Sequence, residues 1–298
     1  MKNGLKVAVA SGKGGTGKTT IACGLASVID FPVYIDCDVE EPNGHILLKP
    51  EIHNVDTAFK LVPSISVNKC SLCTKCIEVC EFNALFKLGE EIYLLQELCH
   101  SCGACSCFCP ENAITEQKWE IGKIRSGKIN DKLFFFDGIL KIGEQSAPPL
   151  IRQVKGKLFS GSEAPFYKNH NIIVDSPPGT SCSLFESIKE VDFCILVTES
   201  TPFGLNDLKL AVDVIKESNI PFGIVINKYD PEYPEIEQYL QLTGITLLLK
   251  IPFSKKVAQI YSRGTIPSYE DEKFAQMMKL LWMGVGNEVD KTIRSKVN

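Results

Sequence analysis

Ten residues near the start of the chain, Ser11 to Thr20 (SGKGGTGKTT), restrict the possible folds more than any other stretch. Gly12, Gly17, Lys18 and Thr19 satisfy the pattern G-x-x-x-x-G-K-[ST]. Glycines at this spacing let successive backbone N–H groups turn toward phosphate oxygens with no Cβ in the way. Gly14, Gly15, Thr16 and Thr20 complete the candidate loop. Lys18 then sets a point charge on the β- and γ-phosphates, and the Thr19 hydroxyl ligates Mg²⁺. The flanks agree with this reading. Leu5 to Ala10 is a short apolar run of strand type, and Ile21, Gly24, Leu25 and Val28 share one side of a helix. A strand, a glycine loop and a helix N-terminus aimed at an anion commit the N-terminal part of the chain to an open parallel α/β sheet.

A second lysine, Lys13, lies inside the loop. The run Lys13 to Thr19 resembles the deviant Walker A motif of the MinD/ParA/nitrogenase-iron-protein class of ATPases. The resemblance implies that Lys13 reaches across a dimer interface to the partner's nucleotide, so that ATP binding is coupled to formation of a homodimer.

Whole-chain numbers exclude several other classes. The chain has 298 residues, 44% hydrophobic and 23% charged, as expected of a folded globular protein of one large domain or two. A formal charge of −4 argues against a general nucleic-acid binder and against a strongly basic membrane surface. No apolar run approaches a membrane span, and the start of the chain lacks the h-region of a signal peptide, so a cytoplasmic protein is expected.

After a turn at Phe31-Pro32, Val33 to Asp36 reads as the second buried strand. The pattern D-x-D-x-x-x-P-N that follows, from Asp36 to Asn43, resembles the switch I region of the same family. That resemblance makes Asp38 the residue that orients or activates the attacking water, with Asp36 supporting Mg²⁺ through its water shell.

The α/β pattern then breaks. Cys70, Cys73, Cys76 and Cys80 form C-x2-C-x2-C-x3-C, and Cys99, Cys102, Cys105 and Cys109 repeat it. Nine of the thirteen cysteines lie in this stretch. The tandem pattern is the bacterial ferredoxin signature for two [4Fe–4S] clusters, in which the fourth cysteine of each run ligates the other cluster. The expected sets are therefore Cys70, Cys73, Cys76 and Cys109 for the first, and Cys99, Cys102, Cys105 and Cys80 for the second. Eight ligands with internal repetition exceed what a zinc site uses. Cys107, inside the second loop, reads as a small buried spectator.

The expected inserted domain spans 62–118 and interrupts an ATPase domain made of 1–61 and 119–298. Together these resemble MinD-superfamily ATPases that carry an inserted ferredoxin domain. The fold class is thus α/β: a doubly wound, mostly parallel P-loop NTPase sheet with an inserted α+β ferredoxin-like domain.

Trp119 to Phe136 reads as hairpin strands with Gly122 and Gly127 as turn candidates. A helix is expected to start at Pro148 or Pro149, and residues 158–170 read as a polar connector. Asn171 to Asp175 is a buried strand ending in an acid, and Ser176-Pro177-Pro178-Gly179 follows. This is a Walker B and switch II arrangement: Asp175 holds Mg²⁺ through water and the Gly179 N–H senses the γ-phosphate. Cys182 lies seven residues beyond Asp175. In the nitrogenase iron protein a cysteine at that offset holds a cluster shared between subunits; no second cysteine here suggests itself as its partner.

Further strands are expected at Asp192 to Thr198, Phe222 to Ile226 and Ile245 to Ile251, with a long amphipathic helix over Gly204 to Ser218. Asn227 resembles the family's adenine-reading residue, and Pro252 lies at a strand end on the base side. Phe274, Met277, Met278 and Leu281 have the spacing of a core-docked terminal helix.

The function expected from this set is an ATP-binding and ATP-hydrolysing protein whose nucleotide state gates electron transfer from two clusters to a partner, itself a redox protein or an apo-protein. A cluster carrier and a MinD-like spatial regulator are the alternatives. The carrier mode by resemblance uses a C-terminal C-x2-C, and no cysteine follows Cys194.

Overall fold

The computed structural model describes residues 4–161 and 164–297. The first three residues, the last one, and residues 162–163 of the expected connector lie outside the described residues.

The strands are β1 (Lys6–Ala10), β2 (Pro32–Asp36), β3 (Glu51–Ile65), β4 (Leu85–Leu88), β5 (Glu91–Leu94), β6 (Ile114–Lys128), β7 (Phe134–Leu140), β8 (Asn171–Asp175), β9 (Phe193–Glu199), β10 (Phe222–Tyr229) and β11 (Leu247–Pro252). The helices are α1 (Lys18–Val28), α2 (Gly44–Leu48), α3 (Lys75–Glu78), α4 (Ala104–Cys107), α5 (Pro148–Phe159), α6 (Ala164–Tyr167), α7 (Cys182–Ile188), α8 (Pro202–Glu217), α9 (Glu235–Thr243), α10 (Lys255–Ser262), α11 (Pro267–Glu270) and α12 (Glu272–Val297).

Nine strands form one sheet in the order β11-β10-β9-β1-β8-β2-β7-β6-β3. Neighbours from β11 to β7 are parallel, whereas β6 runs antiparallel to both β7 and β3. The parallel strands are apolar runs because helices cover both faces. On one face α5, α7, α8 and α9 pack over Ile35, Val174, Leu196 and Ile226. On the other, α1 and α12 cover Val7, Val9, Ile173 and Ile195. The terminal helix docks as its spacing implies: Phe274, Met278 and Leu281 are buried and Met277 is partly so. Among the described residues no helix is long and apolar enough to cross a membrane.

β3 and β6 are each fifteen residues long and pair from Glu51↔Lys128 to Ile65↔Ile114. This ladder leaves the sheet as an arm. Between its ends lie α3, the β4–β5 hairpin and α4. The boundaries expected at 61/62 and 118/119 fall within the arm, at the pair Leu61↔Lys118.

The structure corrects two readings in this region. Gly122 and Gly127 are not turns, because both lie inside β6. Their missing Cβ atoms answer close backbone approach: a Cβ on Gly122 would strike the Ile139 carbonyl, and one on Gly127 the Glu51 carbonyl. The turn from β6 to β7 falls at Asn130, whose Oδ1 accepts from the Lys132 and Leu133 N–H groups. The connector at 158–170 is also more ordered than its composition suggests. Phe166, Tyr167 and His170 pack edge-on around Phe134 beside the sheet.

Candidate functional site

Parallel pairing brings three carboxylates together at the C-terminal ends of adjacent strands. Asp36 on β2 is in register with Asp175 on β8 and with Asp137 on β7, and all three are fully buried. The loop after β1 runs beneath them into α1. Gly17 has φ +88° and sits where a Cβ would collide with the Asn227 amide, so both the backbone and the space demand glycine.

Lys18 Nζ donates to Asp175 Oδ1 at 2.7 Å in a buried ion pair. Burial works against the Lys18 charge, but Asp175, with Asp38 and Asp36 behind it, overrides that and holds the ammonium above the usual lysine range. The second oxygen of Asp175 accepts from the Tyr34 hydroxyl at 2.9 Å. Asp36 accepts from the backbone N–H groups of Asp38 at 3.1 Å and Gly44 at 3.0 Å. Burial and the neighbouring Asp175 push the Asp36 carboxyl well up. Asp38 is half-buried; its own burial pushes its carboxyl up to about 6, with Lys18 opposing and Asp175 adding. Burying like charges this closely calls for a cation to offset them.

Two hydroxyls in this pocket, Thr16 Oγ1 and Ser176 Oγ, are buried without a partner among the described residues. The glycine loop, the orphaned hydroxyls and the crowded carboxylates suit a phosphate–Mg²⁺ group in donor type and in charge. Thr19 is buried at the first turn of α1, beneath Lys18.

Other expected residues are engaged differently. Lys13 Nζ pairs with Glu199 Oε1 of its own chain at 2.6 Å, and Lys228 shares that carboxylate at 3.1 Å while donating to the Gly15 carbonyl at 2.9 Å. The Gly179 N–H donates to the Ser11 carbonyl at 3.0 Å. Asn227 Nδ2 donates to the Thr16 carbonyl at 2.7 Å, tying β10 to the phosphate loop. Pro252 is exposed at the end of β11.

The sequence reading missed Tyr34. Its ring stacks on Phe135, and its hydroxyl alone fixes Asp175 from the side opposite Lys18. Alternation along β2 marks Tyr34 as buried, but nothing in the pattern says where the hydroxyl points. Tyr34→Phe is expected to lower unfolding free energy by about 1–3 kcal/mol, because it strips a buried carboxylate oxygen of its donor; urea denaturation measures it. It also missed the fork between Arg125 on β6 and Asp137, which neutralises the third carboxylate from the arm side.

The cysteines of the arm fall into two cavities. Cys80, Cys99, Cys102 and Cys105 line one of about 420 Å³, counting its open mouth, walled by Leu61, Pro63 and Leu94 among others. Cys70, Cys73, Cys76 and Cys109 line another of about 340 Å³, walled by Ile65, Ile92 and Ile114. The backbone repeats with the sequence, at a spacing of 29 residues. Leu72 and Ser101, Thr74 and Gly103, and Asn83 and Asn112 all have positive φ. The N–H of Ala84 donates to Cys80 Sγ at 3.4 Å, and that of Ala113 to Cys109 Sγ at 3.3 Å. As thiols, Cys76 and Cys99 are raised by burial and Cys105 is pushed up to about 11. Thiolates within such walls need a positive partner. Four thiols per cavity, apolar walls and N–H donors to sulfur suit a cubane cluster in donor type and number. Among the described residues no three His, Cys, Asp or Glu groups converge closely enough for a single metal ion.

Cys107 is corrected: it is exposed on α4, not buried. Cys182 is exposed at the first residue of α7, while Cys23, Cys37 and Cys194 are buried.

Fold and loop together define a nucleotide-binding α/β protein with the phosphate loop at the centre of a parallel sheet. The chain belongs to the CobQ/CobB/MinD/ParA nucleotide-binding domain family, whose model matches residues 7–267. It is 33% identical over 263 residues to an uncharacterized protein of Methanocaldococcus jannaschii, covering 87% of this chain and 89% of the relative. A second uncharacterized protein of that organism is 32% identical, with 75% and 78% covered. Among solved structures, the cell division ATPase MinD of Pyrococcus furiosus matches at TM-score 0.56 and 17% identity, covering 97% of this chain and 99% of that one. The MinD of Pyrococcus horikoshii in complex with Mg-ADP matches at TM-score 0.55 and 16% identity, with 93% of each covered. At these identities the structural matches establish a shared fold.

Proposed function

We propose that the chain is an ATP-binding, ATP-hydrolysing iron–sulfur protein in which nucleotide-dependent dimerisation gates electron transfer from two [4Fe–4S] clusters to a partner protein. One observation carries the reading: each cavity gathers three cysteines of one repeat and the fourth of the other, which is the ligand exchange of a two-cluster ferredoxin. The module at 62–118 is then a ferredoxin-like insert in an ATPase domain of 1–61 and 119–298. When bound, the clusters supply one-electron carriers.

The protein's own residues supply the rest. Lys18 leaves Asp175 for the phosphates, which frees a carboxylate oxygen for the water shell of Mg²⁺, with Thr19 and Asp36 beside it. Asp38 accepts the proton of the attacking water. Lys13 exchanges Glu199 for the nucleotide of a second copy, and that exposed pair costs little to break. Gly179 gives up the Ser11 carbonyl when a γ-phosphate arrives, which moves switch II and α7 together. Asn227 and Pro252 flank the adenine. The Mg-ADP bound to the Pyrococcus horikoshii protein of the same fold supports the nucleotide assignment.

The test is iron analysis and EPR on anaerobically reconstituted, reduced protein, with and without Mg·ATP. About eight irons per chain are expected, with a change in cluster signal or in the rate of partner reduction on adding nucleotide. Unchanged potentials and unchanged partner reduction would remove the gating. A chain far short of eight irons would remove the clusters.

A further inference from the structure

The two cavities are not equivalent with respect to the ATPase sheet. The one lined by Cys80, Cys99, Cys102 and Cys105 touches the arm at Leu61, Pro63 and Glu116. The other touches it at Ile65 and Ile114, the last pair of the ladder. The first is therefore inner, one step nearer the sheet, and the second sits at the tip. Trp119 packs both against the main core and against the Val62, Ala84 and Cys99 cluster, so the inner cavity abuts the body of the protein.

An ion pair is buried beside that inner cavity. On β3 the inward positions are Ala58, Lys60 and Val62, and Lys60 is only 3% exposed. Its Nζ lies 2.6 Å from Glu144 Oε1, with the two side chains 0% and 2% exposed. Glu144 Oε1 also accepts from the Ser146 N–H at 3.1 Å, while Oε2 is buried with no partner among the described residues. The pair has a direction. At His100, which lines the inner cavity, the Lys60 charge outweighs that of Glu144, and Lys60 also acts on Cys99. The ammonium end thus faces the inner cysteines. Replacing a buried ion pair with apolar residues is often neutral or stabilising, so stability alone gives little reason for a lysine at a core position. A fixed charge beside a redox centre does give one, because net charge and burial set cluster potentials.

We propose that the Lys60–Glu144 pair raises the reduction potential of the inner cluster above that of the tip cluster, so that an electron entering at the tip comes to rest beside the ATPase sheet. This rests on the reading that the two cavities hold iron–sulfur clusters. The internal step balances by itself: the tip centre is oxidised by one electron and the inner centre is reduced by it. The electron first arrives from a low-potential one-electron donor protein, replaced by dithionite or an electrode in the test. Lys60 stabilises the inner site when it gains negative charge, and burial keeps that effect from being screened. Glu144 moderates it from farther away.

The test is an EPR-monitored redox titration of the reconstituted full chain, with Cys73→Ala used to assign the tip signal. In the double variant Lys60→Met with Glu144→Gln, the partition of one electron is expected to move toward the tip about tenfold, which is 59 mV for a one-electron couple. Glu144→Gln alone, which uncovers the lysine, is expected to move the inner potential the opposite way. The tip potential stays fixed in both. Shifts of the same sign, or no shift with the full iron complement present, overturn the role of the pair and leave the clusters standing. Wild-type protein far short of about eight irons overturns the cluster reading and this inference with it.

Discussion

Replacing Asp38 with Asn is expected to lower ATP turnover by roughly 10²- to 10⁴-fold while Mg·ATP still binds. The argument begins with what the neighbouring carboxylates already do. Asp175 accepts from Lys18 on one oxygen and from Tyr34 on the other. Asp36 accepts from two backbone N–H groups, those of Asp38 and Gly44. Both are fully buried at strand ends, where they suit a cation's water shell rather than a mobile proton. Asp38 is different. It is half-buried on the loop beyond β2, and its carboxyl is pushed up to about 6 by burial, so it is the more basic kind of carboxylate that accepts a proton near neutrality. Asparagine keeps the shape and the backbone and removes the base. Single-turnover hydrolysis separates the step, and titration calorimetry checks binding. Turnover within a few-fold of wild type would rule Asp38 out as the base. Equal losses in binding and turnover would make it a holder of Mg·ATP instead.

The parts of this site that the sequence made legible are those in which local pattern and long-range geometry coincide. The run Ser11 to Thr20 names its own loop, and an apolar strand ending in Asp36 or Asp175 can deliver that acid to only one edge of a parallel sheet. The register between the two acids follows from parallel pairing, with no further information needed. The cysteine partition was legible for a similar reason: the repeat in spacing is also a repeat in backbone, down to the positive φ at Asn83 and Asn112.

What stayed hidden depends on side chains that meet from distant segments. Nothing in the spacing of Lys13 announces Glu199, which waits at the end of β9. Tyr34 looks like any buried strand aromatic until its hydroxyl is placed against Asp175. Gly122 and Gly127 were ambiguous in principle, since a glycine in a strand-like run signals either a turn or a close backbone approach. Here it signals the approach, because β6 continues past both. Lys60 is the instructive case. The alternation Ala58, Lys60, Val62 puts a charge where an apolar residue belongs, and a violated pattern of that kind marks a site that is not there for stability alone.

The second large effect concerns Cys80. Cys80→Ala is expected to cut iron from about eight to about four per chain and to abolish the inner cluster, although Cys80 belongs by sequence to the tip run. The reason is geometric. Cys80 follows α3 and shares its cavity with Cys99, Cys102 and Cys105, whereas Cys109, at the matching place in the second repeat, faces Cys70, Cys73 and Cys76. Cys80→Ala and Cys102→Ala should therefore give one EPR spectrum, and Cys109→Ala and Cys73→Ala the other. If ligands instead grouped by sequence run, Cys80→Ala would match Cys73→Ala. The crossed pattern has a structural consequence beyond the count. Each cubane would staple the start of one repeat to the end of the other, so losing either should loosen the whole 66–113 segment, while the sheet, whose core holds none of these eight cysteines, keeps its fold and its nucleotide. Proteolysis of the Cys80→Ala protein should then cut within the arm's end first, with ATP binding retained; cleavage of the sheet at the same rate would show that the two bodies do not fold independently.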